Sequence, residues 1–217
     1  MKTLTWSRLL TAFVLVFALA SGLAPTAKAT FLGEGGSVAP ADANGFAAGT
    51  LLVSMSDTYS HPSFTGTLYT DVYDNGGLDF WYRIVADPGS AHPLSRLTVT
   101  GFMLFLTDVF DRTDMGGGTQ RVSNLVDRSS GVIGFNFGTT EPDKINPGET
   151  TAWMVVRTNA THFVGTESFV INGGVAVAET LSPAEVPELA SFALIGTGLM
   201  LLGIIGRDGT ESSQSRG

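Results

Sequence analysis

The sequence predicts an all-β protein: an antiparallel β-sandwich, with a signal helix before it and one transmembrane helix after it. Three observations carry that prediction. Apolar and polar residues alternate with a period of two along several short runs, as in strands that bury one face. Each run is bounded by Gly, Pro, Asn or Asp, and no long amphipathic helical pattern lies between them. Two apolar stretches, residues 9–20 and 189–206, lie outside this region.

In chain order, residues 1–29 come first. Lys2 and Arg8 precede an apolar run from Leu9 to Ala20, and the small residues Ala27 and Ala29 follow at cleavage spacing. This is the three-part pattern of a secretory signal peptide, with a cut expected after Ala29 and a second cut point after Ala20. The run falls short of the roughly 20 residues of a full membrane span, which argues against a permanent N-terminal anchor. Leu32–Gly49, rich in Gly and Ala, is expected to be a mobile lead-in with room for one early strand.

The domain itself is expected over residues 30–183. In "TLYTDVYDNGGLDFWYRIV", Leu68, Thr70 and Val72 alternate with Tyr69, Asp71 and Tyr73. Asn75-Gly76 then supplies a hairpin turn, after which Leu78, Phe80, Tyr82 and Ile84 alternate with Asp79, Trp81 and Arg83. Further strand-like runs are "RLTVTGFMLFL" from Arg96, "GVIGFNF" from Gly131, "TTAWMVVRT" from Thr150 and "ESFVINGGVAVAE" from Glu167. Pro147-Gly148 reads as the turn before the Trp153 strand, because proline presets one backbone angle and glycine accepts the next. Thr180–Glu188 reads as a short linker.

Residues 184–217 form the closing region. Leu189–Gly206 holds eighteen uncharged residues, about 27 Å as a helix against a hydrocarbon core of about 30 Å. A soluble amphipathic helix would place polar residues every three or four positions, and this stretch does not. Residues 207–217 are a polar tail. If the N-terminus is exported, that tail stays on the cytoplasmic side, in keeping with Arg207.

Val186, Pro187, Glu188 and Leu189, the helix-length apolar segment and the basic Arg207 together resemble the tripartite PEP-CTERM sorting signal of exported proteins in Gram-negative bacteria that make exopolysaccharide. Ala190 and Ser191 match residues that often follow the motif. Leu189 stands where a second proline is usual, and the customary arginine cluster is reduced to Arg207. The resemblance implies recognition by an exosortase, a membrane-embedded cysteine transpeptidase that removes such tails. The stretch "INPGETTAWMVVRTNATHF" to "INGG" is also similar to sandwich ectodomains found ahead of this tail.

Composition narrows the partners. Residues 30–188 carry eighteen Asp and Glu against seven Lys and Arg, a surface that repels nucleic acid and anionic lipid. The chain has no cysteine, so an exported domain must stand on its hydrophobic core, without disulfides or thiolate metal sites.

Few residues point to chemistry. His61, His92 and His162 stand singly, without metal-ligand spacing. Asp108, Asp111 and Asp114, spaced by three ahead of a glycine run, are calcium candidates by ligand type; Arg112 among them favours a solvated loop instead. Tyr69, Tyr73 and Trp81 share the second face of the hairpin with Asp71 and Asp79, and would stack on a sugar if that face is open to solvent. Packing beneath another sheet is the alternative for those rings.

The sequence therefore leads to an exported, non-catalytic protein of the cell surface or extracellular matrix. It passes through an inner-membrane stage, needs no cofactor, and has an exosortase-type enzyme and an extracellular polysaccharide as its expected partners. Two alternatives stay open. One is a secreted glycan-active enzyme using paired carboxylates such as Asp71 and Asp79. The other is a binding module that keeps its C-terminal helix as an anchor.

Overall fold

The computed structural model describes residues 29–116 and 120–185, so the signal-peptide positions Ala27, the 186–189 motif, the apolar segment and Arg207 lie outside the described residues; Ala29 is the first residue within them. Fifteen strands follow one another: β1 (Thr30–Phe31), β2 (Ser37–Val38), β3 (Ala41–Asp42), β4 (Thr50–His61), β5 (Phe64–Asp74), β6 (Leu78–Ala86), β7 (Arg96–Val99), β8 (Thr107–Arg112), β9 (Gln120–Arg121), β10 (Leu125–Ser129), β11 (Val132–Asn136), β12 (Thr150–Thr151), β13 (Trp153–Thr158), β14 (His162–Ile171) and β15 (Val175–Ala184). A single 3-10 turn at Glu141–Asp143 is the only helical piece among the described residues.

The strands form two sheets. The larger runs β4-β5-β6-β13-β8-β1, with β12 continuing β13 beyond Ala152 and the short β3 and β9 added at the β8 side. The smaller runs β15-β14-β7-β11-β10-β2. Pairing is antiparallel except for the two-residue contacts β3–β8 and β9–β12, which are parallel.

The predicted hairpin is present as β5 and β6, in the register Thr70↔Tyr82. Its turn closes with Asn75 N donating to Gly77 O at 2.9 Å, while Gly76 takes a φ of 80°, which its missing Cβ permits. Alternation then assigns the two faces. Leu68, Val72, Phe80, Tyr82 and Ile84 join Val109, Met154 and Val156 on the inner face of the larger sheet, all fully buried. They meet Leu97, Val99, Ile133, Phe135 and Val170 from the smaller sheet in one core. Each large apolar side chain so buried is worth roughly 1.5–3 kcal/mol, and this common core takes the place of disulfides.

β15 ties the two sheets together. It pairs with β14 along its whole length, yet Thr180 Oγ1 lies 2.7 Å from Thr70 Oγ1 of β5, Tyr82 Oη donates to Leu181 O at 2.8 Å, and Glu179 N donates to Asp57 of β4 at 2.8 Å.

Four sequence expectations change. The "RLTVTGFMLFL" strand stops at Val99, because Gly101 turns the chain with a φ of 95° and Phe102 drops into the core. The lead-in at 32–49 carries two short strands, β2 and β3, and its Ala43, Phe46 and Ala48 pack on the outer face of the larger sheet. Thr180–Ala184 is strand rather than linker. The acidic stretch holding Asp108 and Asp111 is strand β8, not a loop.

Candidate functional site

The outer face of the larger sheet collects aromatic rings and arginines by the same period-two rule. β5 contributes Tyr69, Asp71 and Tyr73; β6 contributes Asp79, Trp81 and Arg83. β13 adds Trp153, Val155 and Arg157, and β8 adds Asp108, Phe110 and Arg112. Cross-strand register sets the neighbours: Tyr69 faces Arg83, Trp81 faces both Asp71 and Val155, and Arg157 lies between Asp79 and Asp108.

Rings and guanidinium groups then interleave. Arg83 sits 5.0 Å from the Tyr69 ring centre and 4.8 Å from that of Trp153; Arg112 lies 5.3 Å from Trp81; Arg157 lies 4.3 Å from Phe46. Tyr73 leans on Trp81 at 4.8 Å, and Trp81 meets Trp153 edge-on at 6.1 Å. A cation over a ring gains electrostatically from the ring's negative face, more so when water is excluded.

A cover segment, residues 43–48, closes part of this face. Ala43 N donates to Asp111 O at 2.9 Å, Asn44 Oδ1 accepts from the backbone of Thr113 and Asp114, and Gly45 N donates to the Asp114 carboxylate at 2.8 Å. Arg112 completes the clasp by donating to Phe46 O and, through two nitrogens, to Asp114. The Arg112 guanidinium also holds the Asp114 carboxyl down at about 2.

This cover decides what each ring can do. Trp81 is fully buried, so its ring faces serve Arg112, Tyr73 and Trp153 and not a sugar; the cover is a loop, where the sequence alternative was a sheet. Tyr69 and Tyr73 remain partly exposed. Burial, and then the Asp71 carboxylate beside it, raise the Tyr73 phenol above its ordinary range, which keeps it a neutral hydrogen-bond donor. Asp79 is buried and forked by Arg157 at 2.8 and 2.9 Å, so its oxygens already have a partner, while Asp71 is partly exposed.

No family model matches the chain, and no characterised protein or solved structure shows significant similarity to it.

The three calcium candidates do not converge. Asp108 and Asp111 are three apart on a strand and so face opposite sides of the sheet. Asp108 joins Arg157 outside, Asp111 is buried inside against Ser123, and Asp114 belongs to Arg112. Among the described residues no group of three or more His, Asp or Glu side chains forms a metal site. His61 ends β4 with its ring stacked on Phe64 at 4.7 Å, and His92 and His162 are exposed.

The open part of the face is therefore Tyr69 and Arg83, with Tyr73 and Asp71 next along the strand, while Trp153 beside Arg83 is buried. Flat rings, guanidinium donors and a carboxylate acceptor suit a polyhydroxylated ligand lying along the sheet. Sequence reasoning missed Arg83, Trp153 and the three-arginine ladder, although a signal was there. Trp81-x-Arg83 and Phe110-x-Arg112 each put a ring and an arginine on one strand face, and Trp153 and Arg157 repeat the pattern four residues apart. On the smaller sheet, a groove of about 670 Å³ is lined by Arg96, Asp127, Asn136 and Lys144 among others. There Arg96 donates to Asp127 and to Asn136 at 2.7 Å, so these polar groups largely satisfy one another.

Proposed function

We propose that this protein is an exported, non-catalytic β-sandwich of the cell surface or extracellular matrix, sorted by an exosortase-type enzyme through its C-terminal signal. The observation that carries this is the pair of sequence signals flanking one all-β region: the signal-peptide pattern of residues 1–29, and Val186–Leu189 leading into the uncharged stretch 189–206. The work such a protein does is positional. The apolar stretch inserts in the inner membrane, the Pro187-Glu188 region is presented at the outer water interface, and processing there releases or transfers the domain. In the matrix, the partly open edge of Tyr69, Tyr73 and Arg83 is the surface for polysaccharide.

The proximity of fold and signal supports this reading, since β15 runs to Ala184 and only Glu185 intervenes before Val186. The test is the intact mass of the mature protein from its native host, in membrane and extracellular fractions. A chain starting near Thr30 and ending close to Pro187 or Glu188 is expected. A chain running to Gly217 in the membrane fraction would replace sorting with permanent anchoring.

A further inference from the structure

The most exposed apolar side chains of the described residues are not scattered. Phe31, Met103, Leu104 and Leu106 are 61, 61, 65 and 64% exposed, more than any other large apolar residue there. Topology brings all four to one end of the molecule. β7 runs toward that end, residues 100–106 turn over it, and β8 leaves from it; β1 runs antiparallel to β8 and delivers Phe31 opposite Asp108, beside Leu106. Phe163, 37% exposed, lies there too, at the start of β14 opposite Pro183. Because β14 and β15 pair from His162↔Ala184, the chain also leaves the domain at this end.

The loop is built to hold its apolar side chains outward. Phe102 is sunk in the core as an anchor. Buried Arg128 of β10 reaches under the loop and donates to the carbonyls of Phe102, Met103 and Phe105, at 2.6, 3.3 and 2.9 Å, and is paired with Glu34 at 3.1 Å. Phe105 N donates back to Phe102 O, and Leu106 N donates to Asn159 Oδ1 at 2.9 Å. These backbone groups thus have partners inside the protein. Backbone groups paired in this way do not depend on water, which lowers the cost of seating the loop in a headgroup layer.

We propose that this end of the domain rests in the interface of a zwitterionic lipid bilayer, with Phe31, Met103, Leu104 and Leu106 inserted among the headgroups, before the tail is cut. The occupant follows from the exit of the chain: Glu185 is succeeded within a few residues by the eighteen uncharged residues from Leu189, which bring the same end of the domain to the membrane surface. The acidic domain gains nothing from anionic lipid, so contact is apolar. Such seating fixes how the 186–189 motif is offered to a membrane-embedded enzyme. The proposal rests on the membrane insertion of residues 189–206, and its test separates the two.

The chain has no cysteine, so single labels are clean. The full chain is reconstituted in phosphatidylcholine vesicles with a nitroxide at Leu104→Cys, at Leu106→Cys as a second site, or at Val175→Cys. Val175 begins β15, nine residues from Ala184, about 30 Å away at strand rise. The ratio of oxygen to water-soluble nickel-complex accessibility is expected to be several-fold higher at positions 104 and 106 than at 175. Aqueous ratios at all three positions, in protein that floats with the vesicles, would leave insertion standing and overturn the docking. Protein that does not float would remove both. Spin-spin broadening at 104 that disappears on dilution with unlabelled chain would put a second copy there and overturn the lipid assignment.

Discussion

Asp111 is a carboxyl group in the wrong solvent. It is 2% exposed, and its hydrogen bonds come from one residue, Ser123, whose backbone N–H and hydroxyl lie at 2.9 and 3.0 Å. Burial pushes its pKa up to about 7; the Ser123 hydrogen bonds oppose that rise, and the charge of Asp42, its neighbour across the β3–β8 pair, adds to it. An unfolded aspartate ionises near 3.9. Between about pH 4 and pH 7 the folded state therefore holds a proton that the unfolded state has released, and stability falls as pH rises through that window. Asp114 and Glu149, held at about 2 by Arg112 and Arg121, lose their contribution only in stronger acid and leave the window clear. Urea unfolding at pH 5, 6, 7 and 8 should show a declining free energy. Asp111→Asn should flatten the slope and stabilise the protein at pH 8 by roughly 2–4 kcal/mol, at about 1.4 kcal/mol per pKa unit. A level profile in the unsubstituted protein would show that Asp111 is hydrated and ionised.

Among elements, the 43–48 cover segment shows where sequence reasoning ends. The alternation in β5 and β6 told which residues share the outer face, because the side-chain period of a strand is local. What lies over that face is decided by hydrogen bonds between Asn44 and the Thr113-Asp114 backbone, nearly seventy residues away, and no local pattern announces them. β4 escaped notice for a related reason. As an edge strand of "TLLVSMSDTYSH" with only Tyr59 fully buried, it has no continuous apolar face to read. In β8, Asp108, Asp111 and Arg112 look like a solvated loop until Arg157, Ser123 and Asp114 are seen to meet them. The cover can be tested directly, since Trp81 and Trp153 are the only tryptophans among the described residues. Phe46→Ala should remove the ring over Arg157 and Phe110, shift tryptophan emission to the red, increase acrylamide quenching and cost about 2 kcal/mol. Unchanged emission and quenching would mean that the segment does not shield the rings.

For the whole molecule, the decisive feature is where the fold becomes complete. β15 is at once the edge of the smaller sheet and the strand that bonds to β4, β5 and β6 of the larger one, through Asp57, Thr70 and Tyr82. Removing it would leave β14 paired only with β7, through Phe169–Ile171, strip Ala176, Ala178 and Leu181 from the core and take away the acceptor of the Tyr82 hydroxyl. These closing contacts all come from Val175–Ala184. A chain of residues 30–185 should therefore unfold in one cooperative thermal transition and give dispersed amide resonances, whereas residues 30–172 should give neither. If the longer fragment also fails, sequence beyond Glu185 is needed for folding, and a cut at 186–189 could not release an intact domain. If it succeeds, the last strand closes the core just ahead of residues 186–189, and the proposed cut there would sever only the connection to the apolar segment.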